Sequence, residues 1–106
     1  MIKVSILYPH TEGAVFDFDY YCKHHMPMIK AKLGDSCRAL AVDQGVCGAA
    51  PGTPPAYTAM GHLYFDSVNA YHAAFRPHAK VIMDDIRNYT DIRPLIQVSE
   101  VLDIEL

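Results

Sequence analysis

Six histidines and seven tyrosines stand among 106 residues, and two of the histidines fall where a proton can be moved. His25 lies on an apolar stripe with Phe18, Cys22, Ile29 and Leu33, spaced by three and four residues. His78 lies on a matching stripe with Tyr71, Phe75, Ile82 and Ile86. An imidazole has a reference pKa near 6.5, so one held in an apolar pocket can take or give a proton near neutral pH. A third histidine, His62, shares a strand face with Thr58, Met60 and Tyr64. Tyrosine hydroxyls beside such rings, here Tyr21 and Tyr64, can hold a ligand oxygen or a developing oxyanion. The competing reading makes His25 and His78 core histidines, satisfied by the backbone or by a carboxylate.

Other chemistries lack their residues. His24 and His25 are helix neighbours and point apart, and His72 and His78 fall on different faces. No H-x-x-x-H, H-x-x-E-H, G-x-G-x-x-G or P-loop pattern occurs, so neither a metal nor a nucleotide cofactor is expected. Asp84 and Asp85 sit near the end of a helix and read as solvated. The cysteines, Cys22, Cys37 and Cys47, are odd in number and form no C-x-x-C pair, which suits free thiols in a reducing compartment. Net charge is −3 with no Lys/Arg cluster, which argues against a nucleic-acid surface. No run reaches the roughly 18 apolar residues of a membrane span, and the first ten residues are too short for a secretion signal. A cytoplasmic location is expected.

The elements that must position these side chains follow from periodicity. Ile2 to Tyr8 alternates with period two and predicts a strand closed by Pro9. A helix begins near Phe16 or Asp17 and ends at Gly34, with Pro27 expected to kink it. Strands are predicted over Cys37–Gly48 and Tyr57–Asp66, joined by a loop containing Pro51, Gly52, Pro54 and Pro55. Asp66 or Ser67 caps a second helix, broken near Arg76 by Pro77. A last strand runs from Pro94 to Asp103. The order β-α-β-β-α-β predicts an α+β, ferredoxin-like domain over residues 1–106, with a four-stranded antiparallel sheet and both helices on one face. Such a chain buries about 65% of its open surface and has room for one core. The third and fourth strands are apolar on both faces, which predicts a two-fold dimer with sheet packed on sheet.

The segment Tyr20-Tyr21-x-x-His24-His25-Met26-Pro27 resembles the YY-x-x-x-H-x-P signature of the EthD family, named after ethyl tert-butyl ether degradation. Lys3 to Pro9, Met60 to Ser67 and Asn88 to Asp91 are similar to that family as well. The resemblance implies a dimeric α/β barrel, with a pocket between helices and sheet in each subunit. It places the signature histidine at His25, with Tyr21 and Pro27 around it, and matches a further histidine to His62. Relatives in the wider superfamily include cofactor-free isomerases, cyclases, decarboxylases and monooxygenases. Two functions follow as expectations. In the first, an enzyme takes a small cyclic or aromatic oxygenated molecule. His25, Tyr21 and His62 would be its catalytic residues, and Phe18, Tyr64, Phe75, His78 and Ile82 would line the ligand. In the second, a non-catalytic accessory protein holds such a molecule unchanged. The residues leave open which sheet face lines the pocket.

Overall fold

The computed structural model describes residues 1–105. Four strands, β1 (Ile2–Pro9), β2 (Ala39–Gln44), β3 (Tyr57–Phe65) and β4 (Leu95–Glu100), form one antiparallel sheet in the order β2-β3-β1-β4. The helical segments are α1 (Phe18–Tyr20), α2 (Met26–Leu33), α3 (Val68–Phe75) and α4 (Ala79–Asp84). This is the expected ferredoxin-like arrangement. Register places Val4 between Leu63 of β3 and Val98 of β4, and Ser5 between His62 and Gln97. Period two then sorts the side chains. Val4, Tyr8, Ala59, Leu63 and Phe65 are buried with Met26, Ile29, Leu33 and Ile82 of the helices. Lys3, Ser5, Leu7, Met60, His62, Tyr64 and Leu95 share the opposite, uncovered face.

The caps form as local chemistry dictates. The Asp17 carboxylate accepts the Tyr20 amide at 3.0 Å, and the Ser67 hydroxyl accepts that of Ala70 at 3.0 Å. Gly34 ends α2 with φ +62°, a conformation that excludes most side chains.

Two strands are shorter than predicted. β2 starts at Ala39 because Gly34–Ser36 folds into a 3₁₀ turn closed by the Cys37 amide. β4 ends at Glu100 because its partner β1 runs out there; the last rung is Val101 N–H to the Met1 carbonyl.

Both interior prolines remodel their helices. Pro27 has no N–H for the Lys23 carbonyl, and the preceding turn, Tyr21–His25, is a π-helix in which the Met26 amide donates to Tyr21. That extra residue shifts the stripe. Cys22 is exposed, where the plain helical spacing puts it on the apolar face, and Tyr21 takes the inward position. Pro77 falls in a 3₁₀ turn, Arg76–His78, between α3 and α4. A further 3₁₀ turn, Asp85–Asn88, follows α4. Among the described residues no helix is long and apolar enough to cross a membrane.

Candidate functional site

A narrow cleft with about 30 Å³ of enclosed space lies between the helices and the sheet. Val4, Ile6, Leu63, Ile29, Phe75, Ile82 and Ile86 make its walls apolar, and Met83 and the half-exposed Ile96 lie at its rim. Tyr8, Tyr21, His25 and Tyr71 supply its polar side chains. This is the usual make-up of a small-molecule site, mostly apolar with a few placed polar atoms.

Each polar group is delivered by a specific piece of backbone. Tyr8 ends the inward face of β1. The π turn swings Tyr21 and His25 together onto the sheet, with their rings stacked at 5.6 Å between centroids. The Tyr21 hydroxyl rests against Gly61 of β3, where a β-carbon would overlap it. Glycine inside a strand marks such a close approach. Phe16 packs edge-on against Tyr8, Tyr21 and Tyr89 with centroids 5.0, 5.1 and 5.3 Å away, and clamps the cluster.

His25 is 3% exposed and fully bonded. Its Nδ1 lies 2.9 Å from Asp85 Oδ2 and its Nε2 lies 3.3 Å from the Tyr89 hydroxyl. The Tyr89 and Tyr8 hydroxyls are 2.6 Å apart. Asp85 is held in turn by the Tyr20 hydroxyl at 2.7 Å and the Asn88 amide at 2.8 Å, both donating to Oδ1. Burial pushes the His25 pKa down, and the neighbouring Asp85 carboxylate only partly restores it. Burial pushes the Asp85 carboxyl up, but hydrogen bonds from His25, Asn88 and Tyr20 outweigh it and hold the group below the usual carboxylate range. His25 is therefore neutral and Asp85 ionised at pH 7. Burial raises the phenols of Tyr8, Tyr21 and Tyr89 well above their ordinary value, so all three stay protonated.

These shifts set the pH dependence of stability. The unfolded chain protonates His25 near pH 6.5, before the native protein does. Its contribution is complete above that value and is lost as the pH falls below it, towards the native pKa. The Asp85 contribution is present above about pH 3.8 and is lost on further acidification through its native pKa. Urea denaturation between pH 7 and pH 5 is expected to show falling stability in the wild type. His25→Phe is expected to show a shallower slope; an equal slope would assign the effect elsewhere.

Of the residues predicted from sequence, His25, Tyr21, Phe75 and Ile82 line this cleft. Others do not. His62 and Tyr64 project from the opposite face of β3, because even and odd positions of a strand point apart. His62 is bound there between the Ser5 hydroxyl at 2.9 Å and Asp43 at 3.1 Å. The pairing of a pocket histidine with His62 is corrected on that ground. Phe18 packs on Phe16 at 4.5 Å, outside the cleft lining. His78 is half-buried in the 3₁₀ turn, whose tighter winding takes it off the stripe that carries Ile82 and Ile86.

Three contributors escape the sequence reading. Asp85, read as solvated, anchors the site. Its signal was its place three residues after Ile82 on the buried stripe that continues to Tyr89. Tyr8 shares the inward face of Ile2, Val4 and Ile6. Tyr89 continues that stripe but falls in the segment read as a turn, and only the fold brings it to His25.

The comparisons agree with this architecture. A family model described as "EthD domain" matches residues 14–93. An uncharacterised 11.0 kDa protein from the thcB–thcC intergenic region of Rhodococcus erythropolis is 31% identical over 91 residues, 84% of each chain. The crystal structure of an EthD-like protein from Ralstonia eutropha superposes with a TM-score of 0.93 at 49% identity, covering 98% of this chain and 94% of the other. An EthD family protein from Bacillus halodurans shares the fold, with a TM-score of 0.66 at 19% identity over 96% and 99% of the two chains. The chain belongs to the EthD family.

Proposed function

We propose that the cleft binds a small, apolar, oxygen-bearing molecule, cyclic or aromatic, and that His25 serves as its acid–base group. The observation that carries this reading is a neutral, carboxylate-anchored imidazole at the edge of an apolar cleft. A core histidine needs a partner, but it needs no open cleft beside it. The enclosed space is about 30 Å³, so a ligand larger than a few waters must push aside the rim side chains Met83 and Ile96. A neutral imidazole is set to accept a proton from an acidic C–H or O–H, and Asp85 stabilises the imidazolium that forms. Isomerisation, cyclisation, decarboxylation and cofactor-free oxidation of an enolisable or phenolic molecule all begin with that step.

The second part of the proposal is a homodimer packed through the open sheet face. The molecule is a slab of 41 × 40 × 20 Å with 6846 Å² of accessible surface. A compact monomer of 11.8 kDa exposes roughly 5,900 Å². The excess is about 900 Å², to which the exposed loop around Val46 and residues 101–105 also contribute. Leu7, Met60, Tyr64 and Leu95 give the uncovered face its apolar character.

Native mass spectrometry of the protein as purified tests both parts. The expected result is a species near twice 11.8 kDa that sheds a small organic molecule on activation. Leu95→Glu, at a position 56% exposed, is expected to weaken the dimer at least tenfold without unfolding the chain. A wild-type monomer at micromolar concentration overturns the dimer. Failure of any small phenol, lactone or quinone to bind at millimolar concentration overturns the ligand reading. A ligand returned chemically unchanged after prolonged incubation assigns carriage instead of catalysis.

A further inference from the structure

The hydrogen bonds around His25 form a chain with one direction, and that direction selects the ligand. The Asp85 carboxylate accepts only, so the proton of the neutral imidazole sits on Nδ1 and points to Oδ2. Nε2 is left with a lone pair and accepts from the Tyr89 hydroxyl. Tyr89 has spent its one proton, so its oxygen accepts from Tyr8 across 2.6 Å. Tyr8 has then spent its proton as well, and its oxygen accepts from the Tyr21 hydroxyl beside it, so the lone pair left at the cleft wall is on the Tyr21 oxygen. Tyr8 and Tyr89 are 1% and 2% exposed, so bulk water does not scramble this order. A charged carboxylate thus sets the orientation of a hydroxyl four hydrogen bonds away.

We infer that Tyr21 is the ligand-binding terminus of a proton relay, Tyr21–Tyr8–Tyr89–His25–Asp85, and that it takes a hydroxyl donor, a phenol or an enol, in preference to an ether or a ketone. This inference rests on the cleft reading above and names its ligand class. The transfer balances. The ligand O–H breaks and its proton passes to the Tyr21 oxygen. The Tyr21 proton passes to Tyr8, the Tyr8 proton to Tyr89, and the Tyr89 proton to Nε2. The products are a ligand oxyanion that accepts a hydrogen bond from Tyr21 and a His25 imidazolium paired with Asp85. No oxidant or further reactant enters. Tyr89 is a positioning residue in this scheme, since it joins Tyr8 to His25 without lining the cleft.

Asp85→Asn reverses the chain. Oδ1 receives two donors, Tyr20 and Asn88, so the amide oxygen takes that position and the NH₂ group faces His25. Nδ1 then becomes the acceptor, Nε2 carries the proton, and Tyr89, Tyr8 and Tyr21 turn to donate towards the cleft.

Two measurements test this. In ¹⁵N imidazole spectra, His25 is expected to be protonated at Nδ1 in the wild type and at Nε2 in Asp85→Asn. A wild-type proton on Nε2 overturns the inference and leaves the cleft reading intact. The second measurement compares binding of phenol with anisole, and of 2-naphthol with 2-methoxynaphthalene. The hydroxyl compound is expected to bind at least tenfold tighter in the wild type. That ratio is expected to approach one in Tyr89→Phe and to fall below one in Asp85→Asn. Equal wild-type binding of each pair overturns the relay alone. An unchanged ratio in a folded Asp85→Asn protein also overturns it. Absence of binding by all four probes overturns the cleft reading together with the inference.

Discussion

Gly61→Ala is expected to destabilise the protein by about 1–3 kcal/mol, the range of overpacked cores. The added methyl would overlap the Tyr21 hydroxyl oxygen. A hydroxyl at the tip of a free side chain would swing away at little cost. Tyr21 has no such freedom. It is 1% exposed, with Phe16, His25 and Tyr89 rings at 5.1, 5.6 and 4.9 Å. Its backbone is fixed in the π turn that Pro27 requires. Relief must therefore come from moving the helix or the sheet. The collision is with one oxygen atom, so Tyr21→Phe is expected to restore much of the loss. Equilibrium denaturation of the two single variants and the double variant measures the coupling, expected at 0.5 kcal/mol or more in favour of the pair. Additive effects would show that the glycine serves the strand and not the tyrosine.

His25→Ala is expected to lower turnover of a phenolic or enolisable substrate by about 10²–10⁴-fold, the contribution of a positioned acid–base group. The loss should fall on kcat, with KM little changed, because the apolar walls that hold the ligand remain. Removal of the ring also leaves Asp85 with two of its three donors, Tyr20 and Asn88, so the local fold persists. The pH profile separates chemistry from architecture. Wild-type kcat is expected to fall as the pH drops through the native His25 pKa, which lies below 6.5. That limb should vanish in the variant. Undiminished turnover would show that His25 only props the cleft open.

Much of this molecule is written locally. The alternation in Ile2–Tyr8 and Tyr57–Phe65, the caps at Asp17 and Ser67, and the glycine at the end of α2 are short-range signals. They bring with them the β-α-β-β-α-β order, and that order leaves few topologies to choose from. His25 and Tyr21 were legible for the same reason: both lie on a helix beside Pro27, where the pattern is strong. The stripe itself was misread by one position at Cys22. A periodicity of 3.6 contains no instruction about where a proline forces a wider turn.

Other features became visible only in three dimensions. Two histidines on apolar elements look alike in sequence, yet one strand phase places His62 on the far side of the sheet from His25. Asp85 reads as one of two charges at a helix end, and Tyr89 as part of a turn. Tyr8, His25, Asp85 and Tyr89 come from three separate segments, with sequence separations of 64 from His25 to Tyr89 and 81 from Tyr8 to Tyr89. Sequence by itself determined the elements, the fold and the family, because each depends on backbone preferences within a few residues. Tertiary structure alone decided which side chains share a cleft and which way their protons point. Those properties depend on strand register, on the phase of two broken helices and on one buried carboxylate, and none of these is local.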